Sequence, residues 1–494
     1  MTAWPDQPVI YEVNTLVWLG ELSSRYCRPV TLGEVPAAAW DEVVPRGVDA
    51  VWLMGVWERS PAGLEIALLD ESLQASFRAA LPDLRPEDVV GSPYCVRNYA
   101  VDQTLGGPEG LAAARAELAA RGARLILDYV PNHVAPDHPW LADRPGCLLQ
   151  GTLDDLARDP GAFLEAAGQV FARGRDPYFP PWPDVVQLNA FSDELRTAAV
   201  DTLAAIGDQA DGVRCDMAML LMTDVFAKTW GDRAGAAPAE DFWPYVIPKV
   251  RERHPDLLFV AEAYWDLEWA LQQQGFDHCY DKRLYDRLLH EGADSVRPHL
   301  LADLGYQRGL VRFLENHDEP RAAATLSPER ERAAAVTIAT LPGATLWHEG
   351  QFEGRRVRPP VFLSRRPEEP LDKELLAFHH RLLASVASSG MRTGGDWRLV
   401  DCTGWPDNPS HGNLVAWCWT TGSARHLVVV NLSDQPAQGR IRLPWTDLRG
   451  RPCRLAELLT ERTYERDGDE LVDAGLYVDL EGRHWHVVAV PVGP

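Results

Sequence analysis

Four short segments of this chain gather the side chains that could do chemistry. LDYVPNH carries Asp128, Asn132 and His133, GVRCD carries Arg214 and Asp216, FVAEAYW carries Glu262, and FLENHDEPR carries Asn316, His317 and Asp318. Arg214 and Asp216 are two positions apart, so on a strand both face the same way. An arginine beside a carboxylate favours its ionised form and can hold one oxygen by a charge-assisted hydrogen bond, the state a nucleophile needs. Glu262 stands among Val260, Ala261, Ala263, Tyr264 and Trp265. Poor solvation there raises a carboxyl pKa, the state a general acid needs near neutral pH. Two carboxylates with opposed demands suit cleavage of a glycosidic bond; in the retaining form they stand about 5–5.5 Å apart and a covalent glycosyl-enzyme forms. Alone, each piece has a plainer reading: Arg-x-Asp as a structural ion pair, Asn-His-Asp as a helix cap. His133 and His138 lie in HVAPDH, a loop interrupted by proline, and not on a helix as a zinc HExxH pair would. The functional reading rests on the set, four clusters in order.

Something must bring these clusters to one place. Short strand-like runs precede each: Val9–Leu16, Ala50–Met54, Arg124–Val130, Gly212–Cys215, Leu258–Ala263, a weaker Asp277–Tyr280, Val311–Leu314 and Thr345–His348. Helical patterns lie between them, as at Pro108–Arg121, Ser192–Ile206 and Asp372–Ser388. Eight alternating units predict an α/β fold, a (β/α)8 TIM barrel whose strands end at the active face. The interval from Asp128 to Asp216 is nearly three times the ~31 residues that one unit of a ~250-residue barrel uses. An inserted, loop-rich subdomain after strand 3 is therefore expected at 134–188, rich in proline, glycine and aromatics. Beyond Gly390 the pattern changes to short alternating runs (NLVAWCWTT, HLVVVNLS, HWHVVAVPV), which read as an antiparallel β-sandwich. The expected division is a catalytic barrel at 1–389, with its insertion, and a C-terminal sandwich at 390–494.

Bulk properties exclude several function classes. The 494 residues are 46% hydrophobic and carry a formal charge of −24, which disfavours nucleic acid and anionic membranes as partners. No run is long and apolar enough to span a bilayer, and MTAWPDQPVIYEV lacks the basic and apolar regions of a signal peptide. The eight cysteines are scattered without a CxxC pair, which fits a reducing compartment, so a cytoplasmic location is expected. The eighteen tryptophans can serve as core or as platforms for sugar rings, and composition does not separate the two.

In their order, LDYVPNH, GVRCD, FVAEAYW and FLENHDEPR resemble the four signature regions of the α-amylase superfamily, with the resemblance running from about Val9 to Ser388. What it implies is a retaining glycosidase acting on α-glucosidic bonds of oligosaccharides. By motif, Asp216 is similar to the family nucleophile, Glu262 to the acid/base, and Asp318 to the third carboxylate, which binds sugar hydroxyls. Arg214 resembles the arginine that orients the nucleophile. His133 and His317 resemble the two histidines that bond the sugar, and Asp128 the aspartate of the first region. GSPYCVRNYAVDQTLGG resembles the segment after strand 2 where a tyrosine stacks under that sugar; Tyr94 is the candidate, although its spacing to Tyr99 is one short of the commonest pattern and a structural role fits equally.

Three positions depart from the pattern. Met219 and Leu220 stand where typical α-amylases carry Lys-His, so the usual contact to a sugar beyond the leaving group is missing. That histidine also helps to bind a structural calcium. Gln187 stands where the family often has a calcium-binding aspartate, leaving Asn132 as the remaining side-chain ligand. Calcium prefers several charged oxygens, so no metal and no cofactor is expected, calcium being possible in principle. Preference for di- and short oligosaccharides follows. A transglycosylase, isomerase or phosphorylase on an α-glucoside such as trehalose, sucrose or maltose would use the same residues. A non-catalytic scaffold relative would lose carboxylates, and this chain keeps all three. The oligomeric state is not legible.

Overall fold

Eight strands, buried along their whole length, alternate with helices in the computed structural model, which describes residues 3–422 and 424–492. They are β1 (Val9–Asn14), β2 (Ala50–Met54), β3 (Arg124–Tyr129), β4 (Gly212–Cys215), β5 (Leu258–Ala261), β6 (His278–Tyr280), β7 (Leu310–Arg312) and β8 (Ala344–His348). Each pairs in parallel with the next, and β1 pairs with β8 as well as β2, so the sheet closes into a barrel. Their apolar runs lack alternation because both faces are covered, helices outside and packed side chains within.

The register sets up the site. Glu12 lies opposite Trp52 on one side and His348 on the other, and Arg214 lies opposite Asp128 and Val260. Parallel partners face the same side, so these polar groups share the barrel interior. Strand ends differ from the sequence expectation by no more than about two residues, the usual uncertainty of such boundaries. The shift at β1 has a clear cause: Asn14 caps the helix Thr15–Tyr26, its side chain accepting from the Val17 N–H at 3.4 Å, so Thr15 and Leu16 are helical and not strand.

Between β3 and β4 the chain makes a small substructure. His133–Val134 pairs with Val186–Gln187, and Phe163–Ala166 pairs with Gln169–Ala172. Leu148, Leu149, Phe163, Phe171 and Val186 join its interior to the barrel core.

The C-terminal part has a six-stranded and a three-stranded antiparallel sheet. The strand Leu414–Thr421 shows how one alternation serves two cores. Leu414, Ala416 and Cys418 pack inside the sandwich, whereas Val415, Trp417 and Trp419 belong to the barrel's core. The indole N–H groups of Trp417 and Trp419 both donate to the Thr340 carbonyl, at 3.1 and 2.7 Å. Trp40, Trp52, Trp57, Trp243 and Trp347 are fully buried too, so core packing accounts for much of the tryptophan content. All eight cysteines are free, and no helix among the described residues is long and apolar enough to cross a membrane.

Candidate active site

Arg214 is the hub. It is buried to 1% exposure, and its guanidinium reaches Asp216 Oδ1 and Glu262 Oε2, each at 2.7 Å, and Asp128 Oδ1 at 3.6 Å. The strand geometry explains the arrangement. Arg214 points inward near the end of β4, Asp216 follows two positions on, and Glu262 leaves the end of neighbouring β5. Asp128 on β3 closes the ring, its second oxygen accepting from the Trp52 indole at 3.1 Å. One cation thus faces three carboxylates, and burial makes each charge costly unless it is shared in this way.

Glu262 carries three more constraints. The Met217 backbone N–H donates to its Oε2 at 2.7 Å, and the Tyr264 hydroxyl donates to its Oε1 at 2.8 Å. Tyr264 is therefore a hydrogen-bond donor and not only the apolar neighbour that the sequence suggested. Burial pushes the Glu262 carboxyl up to about 7, Arg214 opposes this, and the charges of Asp216 and Asp318 add to it. Asp216 is also raised from its ordinary value, because burial outweighs the pull of Arg214. The sequence reading placed Asp216 as simply ionised by its arginine; the structure has one arginine shared among three carboxylates, which weakens that effect.

Asp318 lies across the pocket in a loop fixed by Asn316, whose Oδ1 accepts from the Asp318 and Glu319 N–H groups, both at 2.9 Å. His317 Nε2 stands 3.0 Å from Asp318 Oδ2 and 2.8 Å from the Tyr94 hydroxyl. Burial works against ionisation of Asp318, yet the charge on His317 holds it down to about 2. Its side chain is 49% exposed, opening onto the pocket, so water there tempers that pull.

These groups meet in a pocket of about 340 Å³ at the end of the barrel that bears the strand C-termini. Tyr94, His133, Asp216, Glu262 and Asp318 line it, with Trp182, Met217, Tyr264 and Phe362 as apolar walls. The other sequence candidates, Asp128, Arg214 and His317, are not on its surface; they sit behind it and bond to the residues that are. Tyr94 stacks on the His317 ring, with centroids 5.3 Å apart and planes 18° from parallel. His133 packs against Trp182 at 5.2 Å, and burial lowers it to about 4, so it is neutral at physiological pH. Met219 and Leu220 lie in a short 3-10 turn, Ala218–Leu221, and are buried in the core, away from the pocket. Size alone would have pointed elsewhere: a cleft of about 1020 Å³ runs between the first helix and residues 355–369, but its Glu21 is tied to Arg366 at 2.5 Å.

Sequence reasoning missed Glu12, whose carboxylate meets His317 Nδ1 inside the barrel. The signal was present. VIYEVN is otherwise apolar apart from its last residue, and a charge within such a strand must have a buried partner.

The residues present do not fit a calcium ion. Gln187 is fully buried, and its Nε2 donates toward the Asn132 carbonyl, Asn132 Oδ1 and the Leu188 carbonyl, each at 2.9 Å. An uncharged amide thus occupies the centre of the oxygen cluster, and no carboxylate is among its partners. No group of three or more His, Cys, Asp or Glu suited to a metal exists among the described residues.

No protein-family model matches the chain. An α-amylase, MalA, of Haloarcula japonica is 24% identical over 448 residues, covering 88% of this chain and 56% of that protein. An α-1,4-glucan:maltose-1-phosphate maltosyltransferase of Burkholderia pseudomallei is 29% identical over 202 residues, covering 40% of this chain and 15% of that protein. The chain thus spans about half or less of the length of these curated relatives. Among solved structures, an α-amylase from H. orenii superposes with a TM-score of 0.70 at 17% identity over 99% of this chain and all of that one. A maltogenic α-amylase from Thermotoga neapolitana gives 0.66 at 18% identity over 98% of each chain. Four ordered strand-end motifs, a closed eight-stranded parallel barrel and relatives of this kind make the chain similar to the α-amylases in sequence and in fold.

Proposed function

We propose that the chain is a retaining α-glycosidase acting on α-glucosidic bonds of short oligosaccharides. The observation that carries this is the pairing of Asp216 and Glu262 on one buried guanidinium, both open to the same pocket. In the first step Asp216 attacks the anomeric carbon while the bond to the leaving oxygen breaks. Glu262 gives its proton to that oxygen, so the leaving sugar departs as a neutral alcohol. In the second step Glu262, now a carboxylate, takes a proton from water, whose oxygen attacks the anomeric carbon and releases Asp216. Asp318 accepts hydrogen bonds from hydroxyls of the sugar undergoing reaction, and neutral His133 donates or accepts beside it. Arg214 holds both reacting carboxylates in place and offsets their charge.

A transfer reaction shares the first step and differs only in the acceptor, a sugar hydroxyl in place of water. The sequence likeness to a maltosyltransferase and the apolar walls Met217, Tyr264 and Trp182 favour keeping it as the second reading. The test is a product profile on maltose, isomaltose, trehalose, sucrose, maltooligosaccharides and starch, with the anomer of the first product read by proton NMR. An α-anomer formed first, with reducing ends released, supports hydrolysis with retention. Longer or rearranged glucosides without net release of reducing ends support transfer, and a β-anomer formed first contradicts both readings.

A further inference from the structure

β1 carries one charged side chain, and it is fully buried. Glu12 Oε1 meets His317 Nδ1, while its Oε2 has no hydrogen-bond partner among the described residues. On the opposite edge of the ring, His317 Nε2 faces Asp318 Oδ2 at 3.0 Å and the Tyr94 hydroxyl at 2.8 Å. The ring cannot easily turn away. Tyr94 stacks on it at 5.3 Å and the Trp52 edge abuts it at 5.5 Å.

We propose that Glu12 is a positioning residue that keeps His317 doubly protonated between two carboxylates and, through it, aims Asp318 into the pocket. The role of Asp318 rests on the glycosidase reading; the Glu12–His317 clamp rests on geometry alone. A neutral imidazole has one N–H and one lone pair, so it can serve one of the two carboxylates and must turn a lone pair to the other. Only the imidazolium donates to both. The surrounding elements agree with that charge. Asp128 on β3 adds a negative field, felt in turn as the pull of His317 on its own carboxyl. Arg214 on β4 is already paired with Asp216 and Glu262. His348 on β8 is held well below its ordinary value, by burial first and then by Arg321, and so is neutral. Burial would drive the proton off His317, but Asp318 and then Glu12 outweigh it and raise its pKa well above the ordinary value. Glu12 thus acts at two removes from the pocket, fixing the orientation and charge of His317, which in turn holds the pocket-lining Asp318.

The test uses the full chain and two readouts. Nitrogen-15 NMR of the histidine rings, with the His317 signals assigned by their loss in His317→Asn, reads protonation without any substrate. The wild type is expected to show an imidazolium at pH about 8, well above the ~6.5 of an unperturbed histidine. In Glu12→Gln, which keeps the shape but removes the charge, the same signals should titrate to the neutral form at lower pH. The ratio of variant to wild-type kcat/KM should then fall with pH by about tenfold per unit once His317 loses its proton. A ratio that stays flat with pH would mark Glu12 as merely structural and overturn the proposal. If Glu12→Gln fails to fold, the wild type alone decides: a neutral His317 at pH about 8 overturns it. Because the NMR readout needs no turnover, its outcome is independent of whether the glycosidase reading survives.

Discussion

Gln187 Nε2 lies 2.9 Å from Asn132 Oδ1, and two backbone carbonyls stand at the same distance. The side-chain amide fills a nest of oxygens that could otherwise hold a cation, and no carboxylate is present to favour a divalent ion there. Chelation should therefore leave both melting temperature and activity unchanged. A metal present at a hundredfold excess over its dissociation constant would contribute about 2.7 kcal/mol, an effect readily seen by calorimetry. A large fall in melting temperature with EDTA, restored by calcium, would contradict this reading of Gln187.

Glu262 gives the sign of the pH dependence. As the proposed general acid it must carry a proton, and its carboxyl is raised to about 7, by burial first. Activity should fall as pH rises through that value, and fall again on the acid side once Asp216, the proposed nucleophile, takes up a proton. The Tyr264 hydroxyl donates to Glu262 at 2.8 Å, which favours the ionised form. Tyr264→Phe should therefore move the alkaline limb of kcat/KM to higher pH. A limb that moves down, or does not move, would show that this hydrogen bond does not tune the acid.

Removing the hub should damage fold and chemistry together. Arg214→Ala would leave Asp216, Glu262 and Asp128 buried without their shared cation. Breaking one partner out of a buried charge network costs about 3–5 kcal/mol. A loss of that size is expected in urea unfolding. A stability change below about 1 kcal/mol would show that the three carboxylates are protonated in the native state and do not need the arginine.

Substrate length is testable from the turn after the proposed nucleophile. Met219 and Leu220 are buried, so neither offers a polar contact to a sugar beyond the leaving group. The pocket, about 340 Å³, is at the small end of ligand sites. The value of kcat/KM for maltose-sized substrates is expected to equal or exceed that for heptaose-sized ones, with short oligosaccharides preferred over starch. A steep climb with length, with rapid loss of starch viscosity, would reveal an extended cleft; exposed Tyr178 and Phe179 on the insertion would be its first candidates.

The barrel was legible because its strands are short apolar runs at regular intervals, and the chemical residues because they stand at the ends of those runs. What the sequence could not show is depth. Arg214, Asp128 and His317 carry the same kinds of side chain as the pocket residues, yet they lie behind the surface, a distinction made by register across neighbouring strands. The partner of Glu12 was hidden for a related reason: the strand shows a charge that must be paired, but His317 is far along the chain, and only closure of β1 against β8 brings the two together. The neighbours of Glu262 misled in a different way. Tyr264 reads as apolar bulk in a sequence, but its hydroxyl turns back onto the carboxylate two residues before it.

The central claim is a covalent intermediate on Asp216. The most direct measurement is to quench the enzyme during turnover of a slow-releasing 5-fluoro-α-glucosyl fluoride and to map the adduct by peptide mass spectrometry. The account predicts one fluoroglucosyl group on the peptide containing Asp216, and no adduct in Asp216→Asn, which should stay folded by circular dichroism and lose nearly all turnover. An adduct on another residue, or a folded Asp216→Asn that keeps more than about a tenth of wild-type activity, a loss of under about 1.4 kcal/mol in transition-state stabilisation, would contradict it.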